Sequence, residues 1–135
     1  PGVFTTGDGL AALFHADDMT LVTRDDPARR DEALVLFATG IPAAAGVNLQ
    51  PGAAAPANPL ATTQRVKVFI GDPRISEAEM IVEWSGFTPG FVGLNQINIR
   101  VHGDRIRGER LPVSIQVGNV SSPLTGAVAP VTFVR

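Results

Sequence analysis

The sequence predicts an all-β domain, and three observations carry that reading. Eleven prolines and fourteen glycines interrupt the 135 residues too often for long helices. Apolar and polar residues alternate over short runs, most cleanly after residue 64, which is the period of a half-buried strand. Turn residues punctuate these runs at near-regular spacing, which gives about eight or nine short strands and the pattern of a sandwich or barrel.

Composition bounds the rest. A length of 135 residues, 44% of them hydrophobic, suits a single domain spanning 1–135 with its own core. Charged residues are 18%, below the usual quarter or so, and the net charge is −2. The densest basic group, Arg105, Arg107 and Arg110, is interleaved with Asp104 and Glu109 around Gly103 and Gly108, so it reads as a solvated hairpin turn. A nucleic-acid partner needs clustered positive charge, and none is expected here. There is no cysteine, which excludes thiolate zinc, thiol catalysis and disulfide staples. No apolar run approaches the roughly 20 residues that span a bilayer, so no membrane insertion is expected. The opening Pro1-Gly2, without an initiator Met or leader, reads as a mature or excised segment.

In chain order, residues 3–6 are β-prone and end at Gly7-Asp8-Gly9. Residues 10–15 and 19–23 form a hairpin about Asp17-Asp18, stopped by Asp25-Asp26-Pro27. Residues 28–32 have room for one helical turn. Residues 33–39 (Ala-Leu-Val-Leu-Phe-Ala-Thr) are continuously apolar, as in a strand buried on both faces. Across about 41–64, Pro42, Gly46, Pro51, Gly52, Pro56 and Pro59 sit among alanines, so this stretch is a long, ordered surface loop. Val66, Val68 and Ile70 then face one way and Arg65, Lys67 and Phe69 the other. Gly71-Asp72-Pro73 turns the chain. Residues 79–85 place Met80, Val82 and Trp84 against Ile81 and Glu83, with Trp84 on the core side. After the Phe-Thr-Pro-Gly-Phe turn at 87–91, residues 95–101 point Ile97, Ile99 and Val101 inward, and Val113, Ile115 and Val117 repeat the pattern. Gly118-Asn119 is a turn, and 127–134 is the last strand.

Six segments in order carry a family resemblance: Pro1-Gly2-Val3-Phe4-Thr5-Thr6, Leu36-Phe37-Ala38-Thr39-Gly40, Pro59-Leu60-Ala61, Val66-Lys67-Val68-Phe69-Ile70-Gly71, the run from Pro89-Gly90-Phe91 through Val92-Gly93-Leu94-Asn95-Gln96-Ile97-Asn98, and Pro112-Val113-Ser114-Ile115-Gln116-Val117-Gly118. Together they resemble the Solibacter-type uncharacterised C-terminal domain family, abundant in Acidobacteria, and 66–122 is also similar to the IPT/TIG type of Ig-like domain. The resemblance implies an Ig-like β-sandwich at the C-terminal end of large exported proteins, with no catalytic or binding residues to carry over. The chain departs from the family pattern at Asp25-Asp26-Pro27 and Asp72-Pro73-Arg74, both in turns, and it has neither the Cys pair nor any Tyr of antibody-type domains.

Candidate sites are weighed against plainer readings. His15 and His102, far apart and without HxH or HExxH spacing, read as strand-end surface residues. Asp17, Asp18, Asp25 and Asp26 offer hard oxygens for calcium, but no DxDxDG register is present and turns attract Asp for backbone reasons. Glu77, Glu79 and Glu83 near Trp84 suggest a glycosidase pair, against which stands the ordinary exposed charge of a strand face. No GxSxG or phosphate loop occurs. Asn119-Val120-Ser121 is a glycosylation sequon on a turn. Trp84, Phe87 and Phe91 are a candidate sugar platform if exposed.

The β-prone ends, with Val3, Phe4 and Thr5 in one and Val131 and Phe133 in the other, are candidate assembly strands. The reading is a non-enzymatic structural or interaction module of a secreted or cell-surface bacterial protein, without a cofactor. Its expected partners are other copies of itself or neighbouring domains of the parent protein, with head-to-tail strand exchange into a filament as the sharper form. The alternative is a carbohydrate- or matrix-binding module.

Overall fold

A computed structural model describes residues 1–102, 106–123 and 129–135. Among them are nine strands, one short 3-10 turn (Ser76–Ala78) and no α-helix. The strands are β1 (Gly2–Val3), β2 (Leu13–His15), β3 (Ala33–Thr39), β4 (Lys67–Ile70), β5 (Ile81–Phe87), β6 (Asn95–Arg100), β7 (Gly108–Val117), β8 (Val120–Ser121) and β9 (Val131–Val134). They form two antiparallel sheets. In the larger sheet the order is β1-β3-β6-β5, with β2 beside β1 along the same edge of β3. In the smaller sheet β7 is central, with β4 on one edge and β8 and β9 at opposite ends of the other.

Period-two burial brings the sheets together. Leu34 and Leu36 of β3 lie opposite Ile99 and Ile97 of β6. From the smaller sheet, Val68 and Ile70 of β4 lie opposite Ile115 and Val113 of β7. All eight side chains are fully buried in one cluster that both sheets supply, as the sequence alternation requires. Burying each contributes about 1.5–3 kcal/mol relative to leaving it exposed. Asn95 is a polar residue on this inner side: buried, it accepts the Ile41 N–H at 3.0 Å through Oδ1 and so fastens the start of the long loop to β6.

The 41–64 stretch contains no strand, as its Pro/Gly density predicts, yet it is held at several points. Ala43 pairs with Thr63, Thr62 with Gly86 and Ala55 with Pro89, and Ala55, Ala61 and Phe87 form a small second apolar cluster.

Several expectations are corrected. Residues 28–32 make no helical turn: Ala28 pairs with Val134, and Asp31 turns the chain at φ 62°. The last strand begins at Val131; Ala127 and Val128 lie outside the described residues, as do Gly103, Asp104 and Arg105 of the expected hairpin turn. Phe69 points away from Val68 and Ile70 but is buried, as is its cross-strand partner Ser114. Alternation tells which face a residue takes, not whether that face is covered.

The outer edge of β9 is also covered. Ala11 N–H donates to the Val131 carbonyl (2.8 Å), Val131 N–H to Gly9 (3.2 Å), Ala28 N–H to Phe133 (3.0 Å) and Arg135 N–H to Ala28 (2.8 Å). The pairings of Leu10 with Val131 and of Ala28 with Val134 are parallel.

Candidate functional site

The segment that leads into β4 leaves the larger sheet, where Thr63 N–H donates to the Ser85 carbonyl at 3.1 Å, and crosses to the smaller one. It meets the start of β5 again where Met80 N–H donates to the Val68 carbonyl at 2.8 Å. Between these two points residues 64–67 and 81–84 separate and open a groove of about 530 Å3. Buried Val66 and Met80 lie among its walls, and Arg65, Lys67, Glu79 and Glu83 supply charge of both signs. At one end Thr63 Oγ1 and Ser85 Oγ lie 2.7 Å apart. His102 Nδ1 lies 3.3 Å from the Glu79 carbonyl oxygen.

Trp84 lines this groove and corrects the sequence expectation that it is a core residue. The ladder between β5 and β6 shifts register between Val82 and Trp84. Val82 is paired with Ile99 on the inner side, but after the bulge Trp84 is paired with Asn98 and Phe87 with Asn95. One extra residue reverses the phase, so Trp84 shares the outer face with Ile81 and is only partly buried. The indole lies along β5 over Gly86: a Cβ built on Gly86 would stand 2.3 Å from both Cη2 and Cζ2 of the ring. A tryptophan two residues before a glycine on one strand is the sequence signal for this arrangement, and alternation alone passes over it. Glu83, in the bulge, is paired with Arg100 Nε at 3.3 Å.

Trp84 ends a row that crosses four strands on one face: Phe14, Val35, Asn98, Trp84. In the next row Phe37 faces Gln96, which faces Gly86. Phe14 and Phe37 meet edge-to-face at 5.7 Å, and Gln96 Nε2 donates to Asn98 Oδ1 at 3.0 Å. This outer face therefore carries aromatic rings with amides between them.

The other two expected platform residues do not join Trp84. Phe87 falls on the inner side of β5 and is buried against Ala55 and Ala61, because the same bulge that turns Trp84 out turns Phe87 in. Phe91 is 56% exposed but borders a separate apolar cleft with Leu49 and Val92. Of the carboxylates expected near Trp84, Glu79 and Glu83 line its groove and Glu77 does not.

His15 is the second correction. Its register opposite Leu34 turns it inward, leaving the side chain 7% exposed. Nδ1 hydrogen-bonds the Glu32 carboxylate, and Nε2 lies 3.0 Å from the Asp26 carbonyl oxygen and 3.2 Å from Asp26 Oδ2. Both ring nitrogens face acceptors, an arrangement that favours the doubly protonated imidazolium. Burial opposes that charge, but the Glu32 hydrogen bond, the Asp26 carbonyl and the two carboxylate charges together outweigh it and raise the pKa above the ordinary 6.5. Partners 11 and 17 residues away give no local spacing signal.

A raised folded pKa adds stability that is complete below 6.5 and is lost as pH rises through the folded value. The urea midpoint of the native chain is expected to fall on going from pH 6 to pH 9, and that of His15→Gln to stay nearly flat. A parallel decline in both would refute the assignment.

Of the four Asp residues weighed as a calcium group, Asp18 and Asp26 are engaged with other partners. Asp18 Oδ1 accepts from Thr20 N–H (3.0 Å) and Oγ1 (2.7 Å), which hold its carboxyl below the usual range, while Asp26 turns to His15. Neither these residues nor Asp17 and Asp25 belong to a group of three or more His, Asp or Glu fit to hold a metal among the described residues. Asn119 is exposed in the two-residue turn between β7 and β8, where Gly118 takes φ +60°. Among the described residues no helix is long and apolar enough to cross a membrane.

Comparisons with protein-family models, with curated proteins and with solved structures found no match to this chain.

Proposed function

We propose that this chain is a non-catalytic, Ig-type interaction module of an exported bacterial protein, working through the groove beside Trp84 and the outer face of its larger sheet. The observation that carries the reading is the indole laid over Gly86 at the edge of a groove with an apolar base and charges of both signs. A partly exposed ring with ordered polar neighbours is how binding surfaces gain contact area without side-chain entropy loss.

The Ig assignment is supported by strand order. Counting β1 and β2 as the first strand and β9 as the seventh, the larger sheet holds first, second, fifth and fourth, and the smaller sheet third, sixth and seventh. With the two-residue β8 set aside, this order matches that of constant-type immunoglobulin domains. The exported setting is supported by the resemblance to the Solibacter-type C-terminal family.

Because the chain has a single tryptophan, its fluorescence reports on this site alone. Acrylamide and iodide are expected to quench native Trp84 to an extent between that of the urea-unfolded chain and zero. Complete protection from both would reject the groove as a working surface.

Head-to-tail strand exchange is a second reading, favoured by β1. It holds β3 through only two ladder pairs, Gly2 with Thr39 and Val3 with Ala38, followed by a Phe4 N–H bond to Phe37 at 3.1 Å. A neighbouring copy's β1 re-forms the same bonds in the vacated slot at little cost. β9, with Val131 and Phe133, is bonded along both edges and is the poorer donor. Deleting residues 1–6 is then expected to convert assemblies into folded monomers by size exclusion and circular dichroism. A full-length chain that stays monomeric at high concentration rules exchange out.

A further inference from the structure

We infer that the groove beside Trp84 binds a neutral oligosaccharide, with one pyranose ring stacked on the indole. This rests on the interaction-module reading and adds the ligand class.

Charge comes first. Arg65 and Lys67 share the lining with Glu79 and with Glu83, which is itself paired to Arg100, so the groove holds charge of both signs and offers donors and acceptors together. An anionic polymer needs a track of clustered positive charge, which Arg65 and Lys67, set among Glu79 and Glu83, do not make. A sugar has the complementary character: hydroxyls that both donate and accept, set around an apolar ring face. The groove has the matching layout, with Trp84 as the apolar wall and charged side chains along the rest. Its volume of about 530 Å3 falls in the range of small-ligand sites.

Shape selects further. An added peptide strand needs an open sheet edge. Here the two lips rejoin at both ends, through Thr63 and Ser85 at one and Val68 and Met80 at the other, so an extended backbone has no path along β5. A sugar that docks face-on against the ring needs no such path.

The indole is also fixed in advance. Its Cη2 and Cζ2 atoms rest against Gly86, where any Cβ would meet them at 2.3 Å. Ordering the ring costs nothing further on binding, which is the usual advantage of a preset aromatic surface.

The test is a titration of the intact chain with cellohexaose, chitohexaose and maltohexaose, followed through Trp84 emission. At least one is expected to give a saturable blue shift with a dissociation constant on the order of 1 mM or tighter. By calorimetry, Trp84→Ala is expected to weaken that binding about tenfold, as for the loss of one aromatic contact. Its β-sheet circular dichroism is expected to be retained. Phe91→Ala, at the separate cleft, is expected to bind as the native chain does. Trp84→Phe serves as a second variant and is expected to bind between native and Trp84→Ala.

No saturable change with any of the three sugars up to about 10 mM overturns the inference. So does saturation by an alternating Thr/Val peptide in their place, or binding by folded Trp84→Ala as tight as that of the native chain. If the sugars fail while iodide still reaches Trp84, the ligand class falls and the module reading stands. If acrylamide and iodide are both excluded as well, both fall.

Discussion

Gly86→Ala is expected to lower the stability of the chain by about 3 kcal/mol, the upper part of the range for overpacking a fitted site. The added methyl meets two indole carbons at 2.3 Å and the Ala61 carbonyl oxygen at 2.6 Å. The ring is able to swing away, but the carbonyl belongs to backbone that is tied down: Phe87 N–H donates to that same oxygen at 2.9 Å. The strain therefore reaches the ladder itself. Two readouts are expected to move together in urea titrations at fixed pH: a lower midpoint, and Trp84 emission in the native baseline shifted to the red as the ring lifts into water. A variant with native midpoint and native emission would show that the ring does not rest on Gly86.

Leu36→Ala is expected to cost as much or more, about 3–4 kcal/mol. Leu36 sits in mid-strand between Leu13 on one side and Ile97 on the other, with no exposed surface, and neighbours from both sheets fix the walls of the cavity it would leave. Leu60→Ala, at 48% exposure on the long loop, is the comparison and is expected to stay within about 0.5 kcal/mol of native. The difference between the two leucines, measured by urea unfolding, tests the position of the core directly. Equal effects would contradict it.

How much of this was legible in the sequence depends on how far apart the deciding residues stand. Alternation at Val68 and Ile70, at Ile97 and Ile99 and at Val113 and Ile115 is local, and each pair is buried as read. The density of proline and glycine over 41–64 is local too, and no strand forms there. Trp84 departs from the alternation, and Phe87 takes the inner side, because one bulge reverses everything after it, and a bulge is a property of two strands, not of one. His15 was read as a surface residue because the carboxylates that hold it arrive from a loop that the topology, not the spacing, folds back over β2. The groove was hidden for the same reason. Its two lips are ordinary alternating segments, and only their divergence between sheets leaves space between them.

The parallel contacts along β9 also determine how the domain carries load. When the chain is drawn out from its two ends, residues 9–11 are pulled one way and 131–135 the other along a common axis. The four hydrogen bonds that join β9 to Gly9, Ala11 and Ala28 lie across that axis, so tension strains them side by side instead of peeling them in turn. A domain held at both ends thus meets the force with a stretch from each half of its sequence clasped against the other.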